Sequence, residues 1–155
     1  MSSRQVLKGS SGFIKSGGKQ RPLTVDVSAY YARGENRDGS APINSVGPPQ
    51  AIVGVAWRSA NERRQLRLKA TLTDDWSKRD ESGGELFKPP GYAVFDLFLF
   101  QQLGNHASMR AGLHHLTDRT YWRWADVRGL SPNDPTLPYL ARAWRSVSLS
   151  MNFNW

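Results

Sequence analysis

The residues of this sequence best suited to chemistry are three histidines, because an imidazole nitrogen can bind a transition metal or carry a proton. His114 and His115 are adjacent and close a segment that alternates apolar and polar residues, while His106 precedes the same segment. Neighbouring side chains of a β-strand point to opposite faces, so the adjacent pair cannot converge on one ion. The sequence therefore predicts no metal site, and polar residues at a strand rim account for the pair.

A catalytic triad could be imagined from Ser108, His106 and Asp118, but a strand would spread these side chains along its length. The chain also contains no cysteine, which excludes a disulfide framework, thiolate catalysis and a cysteine-based zinc site. We therefore expect that the protein is not an enzyme.

An aromatic and basic set lies in the segment 117–143, which has no strand periodicity. Exposed aromatic and arginine side chains are enriched where proteins contact partners, so one interpretation is a ligand-contact loop. The other, equally open, is a folded lid held together by its own aromatic residues. The set consists of Tyr121, Trp122, Trp124, Arg128 and Tyr139.

Six segments show the two-residue alternation of β-strands, with apolar side chains on one face and polar ones on the other. The last segment is the clearest, since valine, leucine, methionine, phenylalanine and tryptophan alternate with serine and asparagine from residue 146 to 155. The fourth is apolar on both faces apart from Asp96. The six segments are 23–31, 53–58, 66–72, 92–102, 107–114 and 145–155.

The links between these segments are alternately short and long. Residues 59–64 and 104–105 form short links, whereas 34–50, 74–91 and 117–143 form long ones. Tight turns at one rim and long loops at the other are typical of outer-membrane β-barrels, and aromatic residues near strand ends suit membrane interfaces. We predict an all-β antiparallel meander of about six strands, belonging to a transmembrane β-barrel.

Composition leaves one rival interpretation. The formal net charge is +8, and basic proteins often neutralise phosphates, so a soluble basic β-domain that binds nucleic acid or another polyanion is the alternative. Against it, the basic residues form no run. Mean hydropathy is −0.56, and no stretch approaches the roughly 18 apolar residues of a spanning helix, which excludes a helical membrane protein.

Residues 1–22 are rich in glycine, serine and lysine and are predicted to be a flexible lead-in or a truncated strand, leaving 23–155 as the barrel segment. The start lacks the apolar core of a signal peptide. Six strands are also fewer than the roughly eight of the smallest single-chain barrels. An open sheet in lipid would leave unpaired edges, so we expect the chain to be a segment of a larger barrel.

Several motifs resemble the C-terminus of TonB-dependent outer-membrane receptors. The stretch 89–97 has a Pro-Gly-Tyr start that leads to Asp-Leu, and 116–118 reads Leu-Thr-Asp with Tyr121 three residues on. His115 stands where the family usually has asparagine. The family commonly has Pro-Gly-Arg before its last strand, whereas this chain has Ala143-Trp144-Arg145.

Two further features, the run 121–130 and the run 32–36 followed by 42–48, look like the haem and haemoglobin branch of that family, and the resemblance covers about 22–155. It implies the C-terminal part of a 22-stranded barrel for uptake of haem or another iron compound. Haem would be a transported ligand, with no cofactor bound by this segment. In that setting His114 would face the lumen and His115 outward near the extracellular rim, where imidazole could ligate haem iron.

The resemblance also implies the partners and the location. The plug domain and the N-terminal part of the barrel are missing from this chain, and the TonB complex would act through that absent plug. The barrel-assembly machinery would read the aromatic end of the last strand at Phe153 and Trp155. Outer-membrane lipid is expected as a partner and nucleic acid is not. The expected location is the cell outer membrane of a Gram-negative bacterium.

Overall fold

The computed structural model describes residues 4–13, 22–35, 44, 46–75, 80–142 and 144–155. These residues form one antiparallel sheet of seven strands in which every strand pairs with its neighbours in sequence. The strands are β1 (Arg4–Phe13), β2 (Leu23–Glu35), β3 (Gln50–Arg58), β4 (Arg64–Thr73), β5 (Tyr92–Leu103), β6 (Ala107–His114) and β7 (Ser146–Phe153).

The predicted all-β meander is confirmed, with one strand more than expected. The additional strand, β1, lies within the lead-in 1–22, where a truncated strand was one of the two expectations. The rest of that lead-in apart from Pro22, and residues 36, 42, 43 and 45 of the haem-branch runs, lie outside the described residues. β1 and β7 are the two edges of the described sheet, which is not closed.

The strand register places apolar residues opposite apolar residues on one face of the sheet, which we call the apolar face. Such pairs stabilise a sheet, because directly opposed side chains lie about 5 Å apart. Two complete rows cross the sheet from β2 to β7. They are Val25, Val55, Leu68, Leu97, Leu113 and Val147, and Leu23, Trp57, Leu66, Leu99, Ala111 and Leu149.

The opposite face, which we call the polar face, carries most of the charged residues of the same strands. A row runs from Asp26 over Gly54 to Lys69 and Asp96. The sheet therefore separates an apolar side from a charged side, as the alternation predicts.

The links follow the predicted order of lengths. Short links at residues 59–63 and 104–106 lie at one rim of the sheet, formed by one set of strand ends. The long links 74–91 and 115–145 lie at the opposite rim. Gly104 has φ +72° in the tighter turn, a conformation that a glycine adopts without a steric penalty. The longest link contains two short helices, α1 (Trp124–Val127) and α2 (Leu137–Leu140). Neither has the length or hydropathy needed to cross a membrane.

Most of the buried apolar side chains lie at the loop end of the molecule rather than under the strands. Trp124, Val127, Leu137 and Val46 are all at most 7% exposed, and Ala32 near the end of β2 joins them. The strands have no such core: their large apolar residues are commonly 40% exposed or more. The packed core of the described chain is thus a loop core.

Candidate functional site

The long links converge on one another at the loop end of the sheet. Asn44 and Asp80 exchange two hydrogen bonds, in which the Asn44 amide donates to the Asp80 carbonyl at 2.8 Å and the Asp80 backbone N–H donates to Asn44 Oδ1 at 2.7 Å. The Trp124 indole donates to the carbonyl of Asn44 at 3.0 Å. Phe87 N–H donates to the carbonyl of Leu130 at 2.7 Å. These bonds join three long links into one loop assembly.

An ion-pair cluster fixes the ends of the longest link. The Asp126 carboxylate accepts hydrogen bonds from Arg123 at 2.9 Å and from Arg142 at 3.2 Å. The bond from the Arg123 side chain holds the pKa of Asp126 below its usual value, and the same bond raises the pKa of Arg123. Since Arg142 also pairs with Tyr121 through two backbone hydrogen bonds, the cluster closes the link on itself.

Three of the five predicted contact residues are engaged within the loop assembly. Trp124 is 5% exposed. The Trp122 indole donates to the carbonyl of Leu137 at 2.8 Å, and its ring meets Phe87 edge to face at 5.4 Å. Tyr121 is half-buried against Tyr92, with ring centroids 4.2 Å apart, and this burial raises its pKa.

The other two predicted contact residues reach solvent. Tyr139 lies in α2 with 87% of its surface exposed, and Arg128 is exposed just after α1. The segment has the packed aromatic residues expected of a folded lid. It also has the exposed tyrosine and arginine expected of a ligand-contact loop.

The position predicted for His115 was wrong. Expected to face outward at the rim, it is 7% exposed, because its φ of +56° turns the chain out of the strand alternation. Its backbone N–H donates to Asp96 Oδ1 at 3.0 Å, and its ring lies 5.3 Å from that of Tyr121. Neither ring nitrogen has a hydrogen-bond partner among the described residues.

His114 lies on the polar face, as alternation predicts. It shares a 2.9 Å hydrogen bond with Ser148 Oγ and packs edge to face on Phe98. The two adjacent histidines are thus separated into different environments. Within the part of the chain that the structure describes, no group of three or more potential metal-ligating side chains is close enough to hold an ion.

The polar face carries ion pairs that reach across strands. Arg67 donates two 2.9 Å bonds to the carboxylate of Asp26, over the strand between them, and Lys69 lies 3.5 Å from Asp96. Gly54 makes the first pair possible, because a Cβ there would lie 2.5 Å from the Asp26 carboxylate. Beside these pairs, a shallow groove of about 400 Å³ is lined by Gln65, Phe98, Phe100, Arg110, Ser148 and Ser150.

The end of the longest link contains a site that the sequence analysis did not identify. Trp144 is 82% exposed and has φ +97°, and Asp118 has φ +50°. Asp118 Oδ1 accepts a hydrogen bond from the backbone N–H of Arg145 at 2.9 Å. This bond is the main cause that lowers the pKa of Asp118. The signal was available, because Trp144 stands at the glycine position of the Pro-Gly-Arg pattern.

At the other rim, β7 ends in exposed aromatic residues. All eight residues of β7 are exposed, and Phe153 and Trp155 have 59% and 107% of their reference surface accessible. Both lie at the rim of the sheet where the short links are found, at the opposite end of β7 from the loop assembly.

Comparisons with known proteins place these features in context. No protein-family profile matches the chain. Hemoglobin-haptoglobin utilization protein B of Neisseria meningitidis serogroup A is 23% identical over 129 residues, which cover 76% of this chain and 16% of that protein. A probable hemoglobin and hemoglobin-haptoglobin-binding protein 4 of Haemophilus influenzae is 21% identical over 121 residues, or 71% of this chain and 12% of that protein.

The chain therefore spans less than a fifth of the length of these relatives. Both relatives are named for haemoglobin and its complex with haptoglobin, which confirms the resemblance to the haemoglobin branch that the motifs indicated. Among solved structures, the copper transporter OprC matches 99% of this chain and 24% of its own with a TM-score of 0.75 at 17% identity. That likeness shows the fold.

Proposed function

We propose that this chain is part of a TonB-dependent outer-membrane receptor that takes up haem or another iron compound. The observation that carries the proposal is the match, over roughly three quarters of the chain, to proteins named for haemoglobin and haemoglobin–haptoglobin. The fold, which is shared with a copper transporter, is consistent with such a receptor.

The two faces of the sheet support a location in a membrane. Four of the six members of one apolar row are between 41% and 73% exposed, namely Val25, Leu68, Leu113 and Val147. A row of this kind destabilises a water-soluble protein but suits contact with lipid, while the charged face suits a hydrated barrel lumen. The same rows argue against the soluble polyanion-binding domain, which would bury them in a core.

The open edges of the sheet indicate what must accompany it. The unpaired backbone groups of β1 and β7 would each cost several kcal/mol in hydrocarbon. Further strands of the barrel therefore pair with both edges, and a plug inside the lumen would connect the receptor to the TonB complex. Nucleic acid has no role in this proposal, and transport rather than catalysis is the activity.

Two sets of residues are assigned roles within this proposal. Arg128 and Tyr139 would contact the ligand directly, while Tyr121, Trp122 and Trp124 would support the surface that presents them. Phe153 and Trp155 would form the signal that the barrel-assembly machinery reads. Haem is the transported ligand and not a resident cofactor.

A growth assay tests the function. The natural protein that carries this chain would be produced in a Gram-negative strain without other haem receptors and starved of inorganic iron. We expect growth on haemin that is lost when the tonB function is deleted, with the protein recovered in the outer membrane. Growth on haemin that does not depend on the protein, or does not depend on TonB, would reject the proposal.

A further inference from the structure

Arg64 places a positive charge on the side of the sheet that is otherwise apolar. Its register partner is Gln101, and the next residue of β4 on the same face is Leu66. From β3 to β7, all of whose residues the structure describes, every other charged residue lies on the polar face. A guanidinium in contact with hydrocarbon is strongly disfavoured, so this single charge at the margin of an apolar face calls for a partner.

The guanidinium of Arg64 is held in position but is not neutralised. Its Nε donates to Gln101 Oε1 at 2.6 Å, and the Gln101 amide in turn donates to the carbonyl of Gln102 at 3.0 Å. In the part of the chain that the structure describes, no carboxylate lies within ion-pair distance of Arg64. Because the bond engages Nε, the two Nη groups present an oriented fork of donors to an anion.

The turn beside Arg64 is closed by its own hydrogen bonds. Ser59 N–H donates to the Arg64 carbonyl at 2.9 Å, and Arg64 N–H donates to Ser59 Oγ at 3.0 Å. Asn61 Oδ1 accepts from Arg63 N–H at 3.2 Å, and the Arg63 carbonyl accepts from Gln102 N–H at 2.7 Å. The backbone of the turn is thus engaged, and the exposed side chains of Arg63 and Arg64 are what it offers to a ligand.

Exposed apolar and aromatic side chains lie next to Arg64 on the same face. Trp57 and Leu66, which are opposite each other in the register, are 41% and 40% exposed. Leu103 and Phe153 at the same rim are also exposed. An arginine beside a tryptophan at the margin of an apolar face is typical of a membrane–water interface, where the alkyl part lies on apolar surface and the charge reaches the headgroups.

The rim that carries Arg64 is basic, whereas the opposite rim is neutral. Among the described residues of this rim, Arg58, Arg63 and Arg64 outnumber Glu62, and no ion pair joins these arginines to a described carboxylate. The sequence between β1 and β2 adds three basic residues and no acidic one. The long links 36–49, 74–91 and 115–145 together contain nine basic and nine acidic residues. Such an asymmetry favours an anionic surface around the short links.

We propose that Arg64, oriented by Gln101 and assisted by Arg63, binds the phosphate of an anionic glycerophospholipid in the leaflet around the short-link rim. The inference rests on the proposed function, because it requires the apolar face to lie in a membrane. A guanidinium fork pairs with two phosphate oxygens, and the acyl chains of the same lipid would lie along Trp57 and Leu66. Since the rim is net positive, phosphatidylglycerol is favoured over the zwitterionic phosphatidylethanolamine. Gln101 is a positioning residue.

The test compares two arginines of the same rim that lie on opposite faces. Arg64→Gln removes the charge from the apolar face, and Arg58→Gln, one strand away, removes a charge from the polar face. The natural protein that carries this chain would be purified in a neutral detergent and titrated with phosphatidylglycerol, with phosphatidylethanolamine as the reference lipid and native mass spectrometry as the readout. We expect the wild type to prefer phosphatidylglycerol.

Loss of a charge-assisted pair should weaken phosphatidylglycerol binding by Arg64→Gln at least about tenfold. Arg58→Gln should bind within about twofold of the wild type, because an exposed charge outside the site contributes little. Heat-modifiable mobility should show that both variants are folded to the wild-type extent.

The positioning role of Gln101 has its own variant. Gln101→Glu would place a carboxylate beside the Arg64 guanidinium and neutralise it, so phosphatidylglycerol binding should fall as far as in Arg64→Gln. Gln101→Ala keeps the charge but releases the fork, and should lose only part of the affinity. Wild-type selectivity in Gln101→Glu would show that the lipid does not bind at this guanidinium.

Wild-type affinity for phosphatidylglycerol in Arg64→Gln, an equal loss in Arg58→Gln, or a wild type that binds both lipids alike would overturn the inference. So would an Arg64-dependent preference for lipopolysaccharide, because the short-link rim would then lie in the other leaflet. Growth on haemin tests the proposed function separately. Selective lipid binding by a protein that does not support TonB-dependent growth would leave the lipid site and reject the uptake of haem.

Discussion

The strands and the loop assembly place their apolar residues in opposite ways. In the sheet, leucine and valine rows lie exposed on one face, and backbone pairing from β1 to β7 holds the strands together. In the loop assembly, Trp124, Val127 and Leu137 are buried, and indole hydrogen bonds tie separate links together. If the strands face lipid as proposed, they need no core between sheets, and the hydrophobic effect in water is left to organise the loops.

The largest expected effect concerns the sheet alone. Trp155 is fully exposed at the rim of the short links. If the aromatic end is the assembly signal, deleting Trp155 should reduce outer-membrane assembly of the natural protein by on the order of tenfold or more. The folded fraction can be measured from heat-modifiable mobility in isolated outer membranes. Asn154→Ala, one residue earlier, is the matched control and should assemble normally; equal assembly of both variants would leave Trp155 as no more than an interfacial anchor.

The loop core should respond separately from the sheet. Trp124→Ala removes a nearly buried indole and its 3.0 Å bond to the Asn44 carbonyl, so the free energy of local loop opening should fall by about 3–5 kcal/mol. Hydrogen exchange should show faster exchange in residues 115–145 with unchanged protection of β3 to β6. Tyr139→Ala, at an exposed position of the same link, should leave both unchanged. Loss of protection in the strands as well would show that the two regions fold as one unit.

The two regions also differ in how far sequence determines them. Strand bounds and faces followed from two-residue alternation, which depends only on local geometry, and β6 matches its predicted bounds. His115 departed from that alternation because its positive φ turns the chain immediately after β6, an effect no periodicity reports. β1 was left open because its segment, rich in glycine, serine and lysine, shows little two-residue periodicity.

The candidate site was predictable only in part. The aromatic set of the longest link was recognised from composition, but composition cannot assign burial, so Trp124 and Tyr139 looked alike despite exposures of 5% and 87%. Partners such as Asn44 for Trp124 are 80 residues apart in sequence and meet only through the fold. Trp144 was visible as a departure from Pro-Gly-Arg, yet its significance depends on the φ that the structure provides.

A smaller effect should distinguish the charged face of the sheet from the loops. Gly54→Ala would place a Cβ 2.5–2.6 Å from the Asp26 carboxylate oxygens and 2.8 Å from Arg67 Nη2, so the ion pair must shift. Because these atoms are the ends of flexible, partly exposed side chains, we expect the free energy of unfolding to fall by only about 0.5–1 kcal/mol, measured by denaturant titration of the folded barrel. Gly83→Ala, in a long link where nothing lies within 4 Å of the added atom, should change little. Equal stability of both variants would mean that the strands absorb the shift.

The smallest effect is a pH dependence confined to the loops. The pKa of Asp126 is held below its usual value of 3.8, chiefly by the hydrogen bond from Arg123. A carboxyl group whose pKa is lowered by folding stabilises the folded form above its unfolded pKa, and that contribution is lost as pH falls through the lower folded value. Protection of residues 115–145 from exchange should therefore be constant at neutral pH and decline below about pH 4. Asp126→Asn should remove this acid dependence, while β3 to β6 stay protected. An unchanged acid response in that variant would assign the dependence to another carboxylate of the link. Asp118 and Asp134 are the alternatives, because their pKa values are also lowered.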